Sequence, residues 1–154
     1  MNLTELCKPF QSLTLNELYD CLRLRSDIFV VEQKCIFLDA DNIDQKCEHL
    51  MLLNNKEIVA YARIVPPGVS YKEASIGRVV SSKQCRGKGY GKLLMDLAIN
   101  NCRRLHPSHD IKIGAQLYLK SFYESFGFVP SGEVYDEDGI DHILMIKVNL
   151  IRQR

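Results

Sequence analysis

Residues 84–94 read QCRGKGYGKLL, with three glycines and three cations between an apolar run ending SIGRVV and a periodic run beginning KLLMDLAINNC. Glycine loses much conformational freedom on ordering, and like charges at this spacing repel, so such a segment needs something that compensates. Its setting narrows the choices. A strand, a glycine-rich turn, a helix and then a further strand at DIKIGAQ make a crossover unit, in which the second strand lies parallel to the first. Glycines at the start of the helix let successive N–H groups point inward, beside the positive end of the helix itself. Such a nest suits a diphosphate, with Arg86 and Lys88 as countercharge. A solvated turn would use the same residues, and the residues alone leave both readings open.

Two better-known phosphate motifs do not fit. A P-loop aligned on Gly91 and Lys92 puts Arg86 where its first glycine belongs and Leu93 where its hydroxyl belongs. A dinucleotide fingerprint started at Gly87 places its third glycine on Lys92, and it also needs a parallel sheet from the N-terminus.

The remaining elements follow from periodicity. LTLNELYDCLRLRSDIFVVEQ predicts a helix capped by Thr14, with Leu15, Leu18, Leu22, Ile28 and Phe29 inward. Two extended runs around Asn54, Asn55 and Lys56 predict a hairpin, and EASIGRVV predicts a third strand. In the next helix, Tyr90, Leu94, Leu97, Ala98 and Cys102 share a face. LYLKSFYESFGF predicts a short helix closed by Gly127, and two strands around residues 136–139 end the chain. The expected order is strand, helix, three strands, helix, strand, helix and two strands. This is an α/β (α+β) domain with a mixed, mostly antiparallel central sheet, flanking helices and one β-α-β unit.

Composition bounds the rest. The 154 residues, 46% of them hydrophobic, fit one domain over residues 1–154 with a substantial core. A net charge of +1 argues against a general nucleic-acid binder, so any phosphate site is local. MNLTELCKPF lacks the apolar run of a signal peptide, and no stretch reaches the length of a membrane span. Six singly spaced cysteines are expected as reduced thiols in a cytoplasmic protein. No metal is expected. Asp39, Asp41, Ile43 and Asp44 fail the calcium-loop pattern, and Cys47 with His49 is too few for zinc.

R-x-x-G-x-G after SIGRVV resembles the acetyl-CoA signature of the GNAT N-acetyltransferase superfamily. GAQLYLKSFYESFGF is similar to that family's next strand and helix, with its aromatic-Tyr-x-x-x-Gly-Phe element. LRLRSDIFVVEQ, AYARIV, GAQ, FYESFGF and VYDEDGIDHILM together resemble the ElaA-like subgroup. The resemblance covers nearly the whole chain and implies a GNAT fold whose central β-α-β unit holds acetyl-CoA. By position, Val79, Val80 and Ser81 would line the pantetheine, and Arg86, Gly87, Lys88, Gly89, Tyr90 and Gly91 would hold the diphosphate. Gln116 stands where many members carry Asn, and Ser81 where an apolar residue is usual.

The reaction implied is direct attack of an amine on the thioester through a tetrahedral intermediate, releasing CoA. Tyr123 sits where the family places a general acid for the sulfur. A lysine-like amine needs about 4.6 kcal/mol to lose its proton at pH 7, so a base is useful. His142, Glu32 and Glu73 are the candidates. Asp39, Asp41 and Asp44 would favour a cationic amine or else form a solvated acidic loop. Arg25, Arg63 and Arg78 would pair with a substrate carboxylate or with acidic side chains. The acceptor is a small molecule or an exposed amino group, with no nucleic acid or membrane partner, and the terminal strands could pair in a homodimer. Two alternatives stand beside this reading: a longer-chain acyltransferase of the acyl-homoserine-lactone-synthase type, and an acyl-CoA-binding module without turnover.

Overall fold

In the computed structural model, which describes residues 2–150, the elements run β1 (Leu3–Pro9), α1 (Leu15–Arg25), β2 (Glu48–Asn54), β3 (Glu57–Val65), β4 (Ser75–Ser81), α2 (Tyr90–Leu105), β5 (Ile111–Gln116), α3 (Lys120–Glu124), β6 (Val129–Glu137) and β7 (Ile140–Lys147). This is the order expected from the sequence. Among the described residues no helix is long and apolar enough to cross a membrane.

A capping box starts α1: the Glu17 amide donates to Thr14 Oγ1 (3.1 Å), and the Thr14 amide donates to Glu17 Oε1 (2.8 Å). The buried stripe differs from the expected one. Cys21, Leu24, Arg25 and Ile28 face inward, while Leu15 is 87% exposed. Arg25 accounts for the rotation. Its guanidinium can be buried only where Asp39 and Asp44 meet it, and its i−4, i−1 and i+3 neighbours turn in with it. Beyond Arg25 the helix widens into a π-helical segment, Ser26–Glu32, where Gln33 N–H donates to the Ile28 carbonyl (3.0 Å) and Cys35 N–H to that of Val30 (3.2 Å).

The strands form two antiparallel sheets, β1-β2-β3-β4 and β5-β7-β6, rather than one continuous sheet. They meet at a parallel bridge between Ala74 and Ile111, where Ala74 N–H donates to Asp110 (3.1 Å) and Lys112 N–H to Ala74 (2.8 Å). A bulge explains why β4 then leaves its parallel partner. The β3–β4 register shifts between Tyr61 and Arg63, and Arg78 takes a left-handed φ of 51°. Core side chains lie on both faces of the first sheet. Leu94, Met95, Ala98 and Cys102 of α2 join Leu50, Ala60 and Ile64 in one cluster, which continues to Ile113, Met145 and Phe128. Cys21, Leu24 and Ile28 pack on Met51, Tyr61 and Val80. All six cysteines are free thiols.

Candidate active site

The parting of β4 from β5 opens a cleft of about 680 Å³, walled by the π-helical segment on one side and by β5 and β7 on the other. Strand alternation decides which expected residues reach it. Val79 and Ser81 line the cleft, whereas Val80 points its side chain into the cluster beneath α1. Val80 is therefore not among the residues lining the cleft. Tyr90 likewise turns its ring into the core, and its main chain stands at the loop.

The glycine-rich loop sits where β4 gives way to α2. Gly87 (φ 78°) and Gly89 (φ 80°) occupy the left-handed region, which L side chains rarely adopt. Gly89 is the N-cap of α2, no side chain caps this end, and no acidic residue lies in its first turn. A Cβ at Gly87, Gly89 or Gly91 would meet nothing within 4 Å. At Gly91 the backbone is ordinary helix, so neither strain nor packing within the chain calls for a glycine. Arg86 and Lys88 are exposed beside it. An uncapped, cation-rimmed helix start with room above its glycines fits a diphosphate.

Glu32 is at this rim too. Its carboxylate pairs with Arg86 and lies 3.8 Å from Lys83 Nζ, which also sits 3.5 Å from Asp27. Glu73 is not among the residues lining the cleft. Gln116, at the end of β5, exchanges amide hydrogen bonds with Gln33 at 3.3 and 3.5 Å, tying the two cleft walls together.

Tyr123 lines the cleft and packs edge-on against Phe122 and Phe128, with centroids at 5.2 and 6.1 Å. Burial pushes its hydroxyl up to about 12, so it stays protonated at neutral pH. His142 is buried on the cleft face of β7. Its Nδ1 donates to the Ile140 carbonyl (2.7 Å), which leaves Nε2, 3.3 Å from Glu137 Oε2, as the position where a proton is gained.

The acidic segment is not an open electrostatic lure. Arg25 Nε donates to Asp39 (2.8 Å) and its Nη1 to Asp44 (2.8 Å), while Arg63 reaches Asp41 at 2.8 and 2.9 Å and Asp44 at 2.8 Å. Arg78 Nε lies 2.8 Å from Asp39 Oδ1, an ion pair not aligned as a hydrogen bond, and its Nη2 lies 3.3 Å from Asp41. Three arginines and three aspartates thus neutralise one another, and Arg78 is held at the bulge by the two carboxylates it faces.

Sequence periodicity missed Tyr71, Tyr135 and Glu137, which also line the cleft. One local signal was available: a glycine inside a strand, here Gly114, often marks a close approach by something else.

Three comparisons bear on this arrangement. A family model described as an acetyltransferase (GNAT) domain matches residues 37–149. Protein ElaA of Escherichia coli is 41% identical over 88% of this chain and 90% of its own length. Its crystal structure superposes with a TM-score of 0.90, covering 96% of this chain and 100% of that one. An acyl-CoA N-acyltransferase from Pseudomonas aeruginosa, 40% identical, superposes at 0.92 over 96% of this chain and 100% of its own.

Proposed function

Since this chain belongs to the GNAT acetyltransferase family, and within it to the ElaA-like group, we propose that it transfers the acetyl group of acetyl-CoA to a primary amine by direct attack in a ternary complex. The family uses an acyl-CoA as co-substrate, so this is an acyl-CoA-dependent transferase; acetyl as the group and an amine as the acceptor are the proposal. The observation that carries it is the first turn of α2, where Gly91 answers no need of the fold and the helix start has no side-chain cap.

Arg86 would exchange Glu32 for a phosphate oxygen, keeping a negative partner throughout. That makes Glu32 a counterion at the rim and leaves His142 as the favoured base. The amine nitrogen forms its bond to the acetyl carbon, the carbon–sulfur bond breaks, and sulfur keeps the electron pair. An ammonium nitrogen sheds two protons in all: the first passes through His142 Nε2 to solvent before attack, and the second follows the same route from the tetrahedral intermediate, beside the Glu137 carboxylate.

Tyr123 serves the departing sulfur as a hydrogen-bond donor. Full transfer from a hydroxyl at about 12 to a thiolate whose thiol titrates near 8.5 would run uphill by about 5 kcal/mol. The hydrogen bond lowers the barrier without that transfer, so Tyr123→Phe is expected to cost about 10²-fold in kcat/KM.

Calorimetric titration with acetyl-CoA, with ADP as control and Gly89→Val as the variant, tests the reading. Acetyl-CoA should bind much more tightly than ADP, and the variant should weaken it at least tenfold. No binding at millimolar acetyl-CoA overturns the reading. Equal turnover of octanoyl-CoA would remove the restriction to acetyl.

A further inference from the structure

We infer that the part of the cleft around Gly114 is the acceptor subsite, and that it recognises the ammonium group of a small primary amine lacking a carboxylate. This rests on reading the cleft as an N-acetyltransferase site. In β5, Ile113 and Ala115 enter the core and Gly114 faces the cleft. A Cβ on Gly114 would lie 2.6 Å from the Tyr135 hydroxyl and 3.3 Å from the Tyr71 hydroxyl. Two phenols from separate parts of the chain, the β3–β4 connection and β6, therefore converge on one point, and the missing side chain makes room for them.

Both rings are held. The Gly68 amide donates to the Tyr71 carbonyl (2.7 Å), and Lys112 Nζ sits 5.3 Å over the Tyr71 ring. Tyr135 packs beside the His142 ring at 5.7 Å. Glu137 lies two residues further along β6, on the same strand face as Tyr135; burial raises both phenols above their usual range, and the Glu137 charge adds to it. In that state each phenol oxygen keeps its proton and still offers lone pairs. Two phenol oxygens and a carboxylate supply three acceptors, matching the three N–H donors of an ammonium group. His142 is next to them, placed to take the proton that must leave before attack.

The neighbouring charges explain the exclusion of carboxylates. Arg25, Arg63 and Arg78 are engaged by Asp39, Asp41 and Asp44, and Lys112 is set over the Tyr71 ring. Glu137 and Asp138 at the rim would repel an anionic tail.

The experiment compares butylamine with 4-aminobutanoate as acceptors for the full chain, following CoA release, in wild type, Tyr71→Phe, Tyr135→Phe and Glu137→Gln. Loss of a hydrogen bond to a charged group should raise the butylamine KM at least tenfold in each variant. For the two tyrosine variants kcat should stay within about threefold, and calorimetric acetyl-CoA affinity should be unchanged. In wild type, kcat/KM should favour butylamine over 4-aminobutanoate by at least tenfold. Gly114→Ala, which displaces both hydroxyls, should reproduce the KM defect. Unchanged KM values, or a preference for 4-aminobutanoate, overturn the inference. Should wild type turn over neither amine, saturation-transfer NMR with butylamine decides: transfer that is lost in the tyrosine variants upholds the subsite, and no transfer to wild type overturns it. Failure of acetyl-CoA to bind is a separate result that removes the transferase reading instead.

Discussion

Gly91 separates what stabilises the chain from what the chain binds. It lies in the first turn of α2 with ordinary helical backbone, and a methyl group there would meet nothing within 4 Å. Alanine is favoured over glycine in a helix by up to about 1 kcal/mol. Gly91→Ala should therefore raise the melting temperature by about 2–4 °C. If the diphosphate approaches this turn closely, the same methyl group should weaken acetyl-CoA by at least tenfold in calorimetry. A stabilised variant with unchanged affinity would show that nothing approaches Gly91. Gly87 and Gly89 offer no such separation, because their left-handed φ values of 78° and 80° make any side chain strained. All three glycines are legible in the sequence as a group, but which of them serves the backbone and which the ligand is visible only with φ and the surrounding space in hand.

At the scale of elements, the parts that the sequence shows clearly are those governed by neighbours along the chain. Thr14 and Glu17 are three residues apart, and their reciprocal bonds form without help from elsewhere. The 54–56 turn joining β2 and β3 and the period-2 strands are local in the same sense. The rotation of α1 is different: Leu15, Leu18 and Leu22 suggest one face, yet Arg25 and its distant aspartates choose another. The π-helical segment and the bulge at Arg78 are likewise products of packing between elements. Because α1 runs into the cleft wall, its start can be tested for influence on the site. Thr14→Ala should lower stability by about 1 kcal/mol in urea unfolding. Acetyl-CoA affinity should stay within about twofold, since Arg25 anchors the far end of the helix independently. A larger loss of affinity would mean that the cap, and not Arg25, sets the position of the wall.

Across the whole molecule, one neutral network joins α1 through Arg25, β3 through Arg63, β4 through Arg78 and the segment that carries Asp39, Asp41 and Asp44. Its six residues are plain in the sequence, but their pairing is not, because the partners lie 14 to 39 residues apart on different elements. Burial would raise the Asp41 carboxyl, but the bonds and charge of Arg63 outweigh it and hold it at about 2; Asp44 is lowered in the same way by Arg25 and Arg63. For carboxyls depressed in the folded state, stability is present above the unfolded value near 4 and is lost as pH falls toward about 2. His49 adds an earlier loss. Desolvation lowers it, with Nε2 donating to the Asp44 carbonyl (2.9 Å) and Nδ1 accepting from Tyr61 (2.7 Å), so the unfolded chain gains its proton first as pH drops below about 6.5. His106, also lowered by burial, acts in the same window. Urea unfolding from pH 8 to 2 should thus show a shallow decline below pH 6.5 and a steeper one below pH 4. Arg63→Met removes the bonds that hold Asp41 down and leaves buried carboxylates short of a partner, at a cost of about 3–5 kcal/mol. The variant should show a weaker decline below pH 4, since Arg25 still holds Asp44 down, and should keep the shallow one. It should also bind acetyl-CoA less tightly at pH 7, because Asp41 and Asp44 then lose a shared anchor and Arg78 its fixed partner at the bulge that parts β4 from β5. If Arg63→Met keeps the wild-type slope below pH 4, the acid sensitivity lies outside this network, and the opening of the cleft does not depend on it.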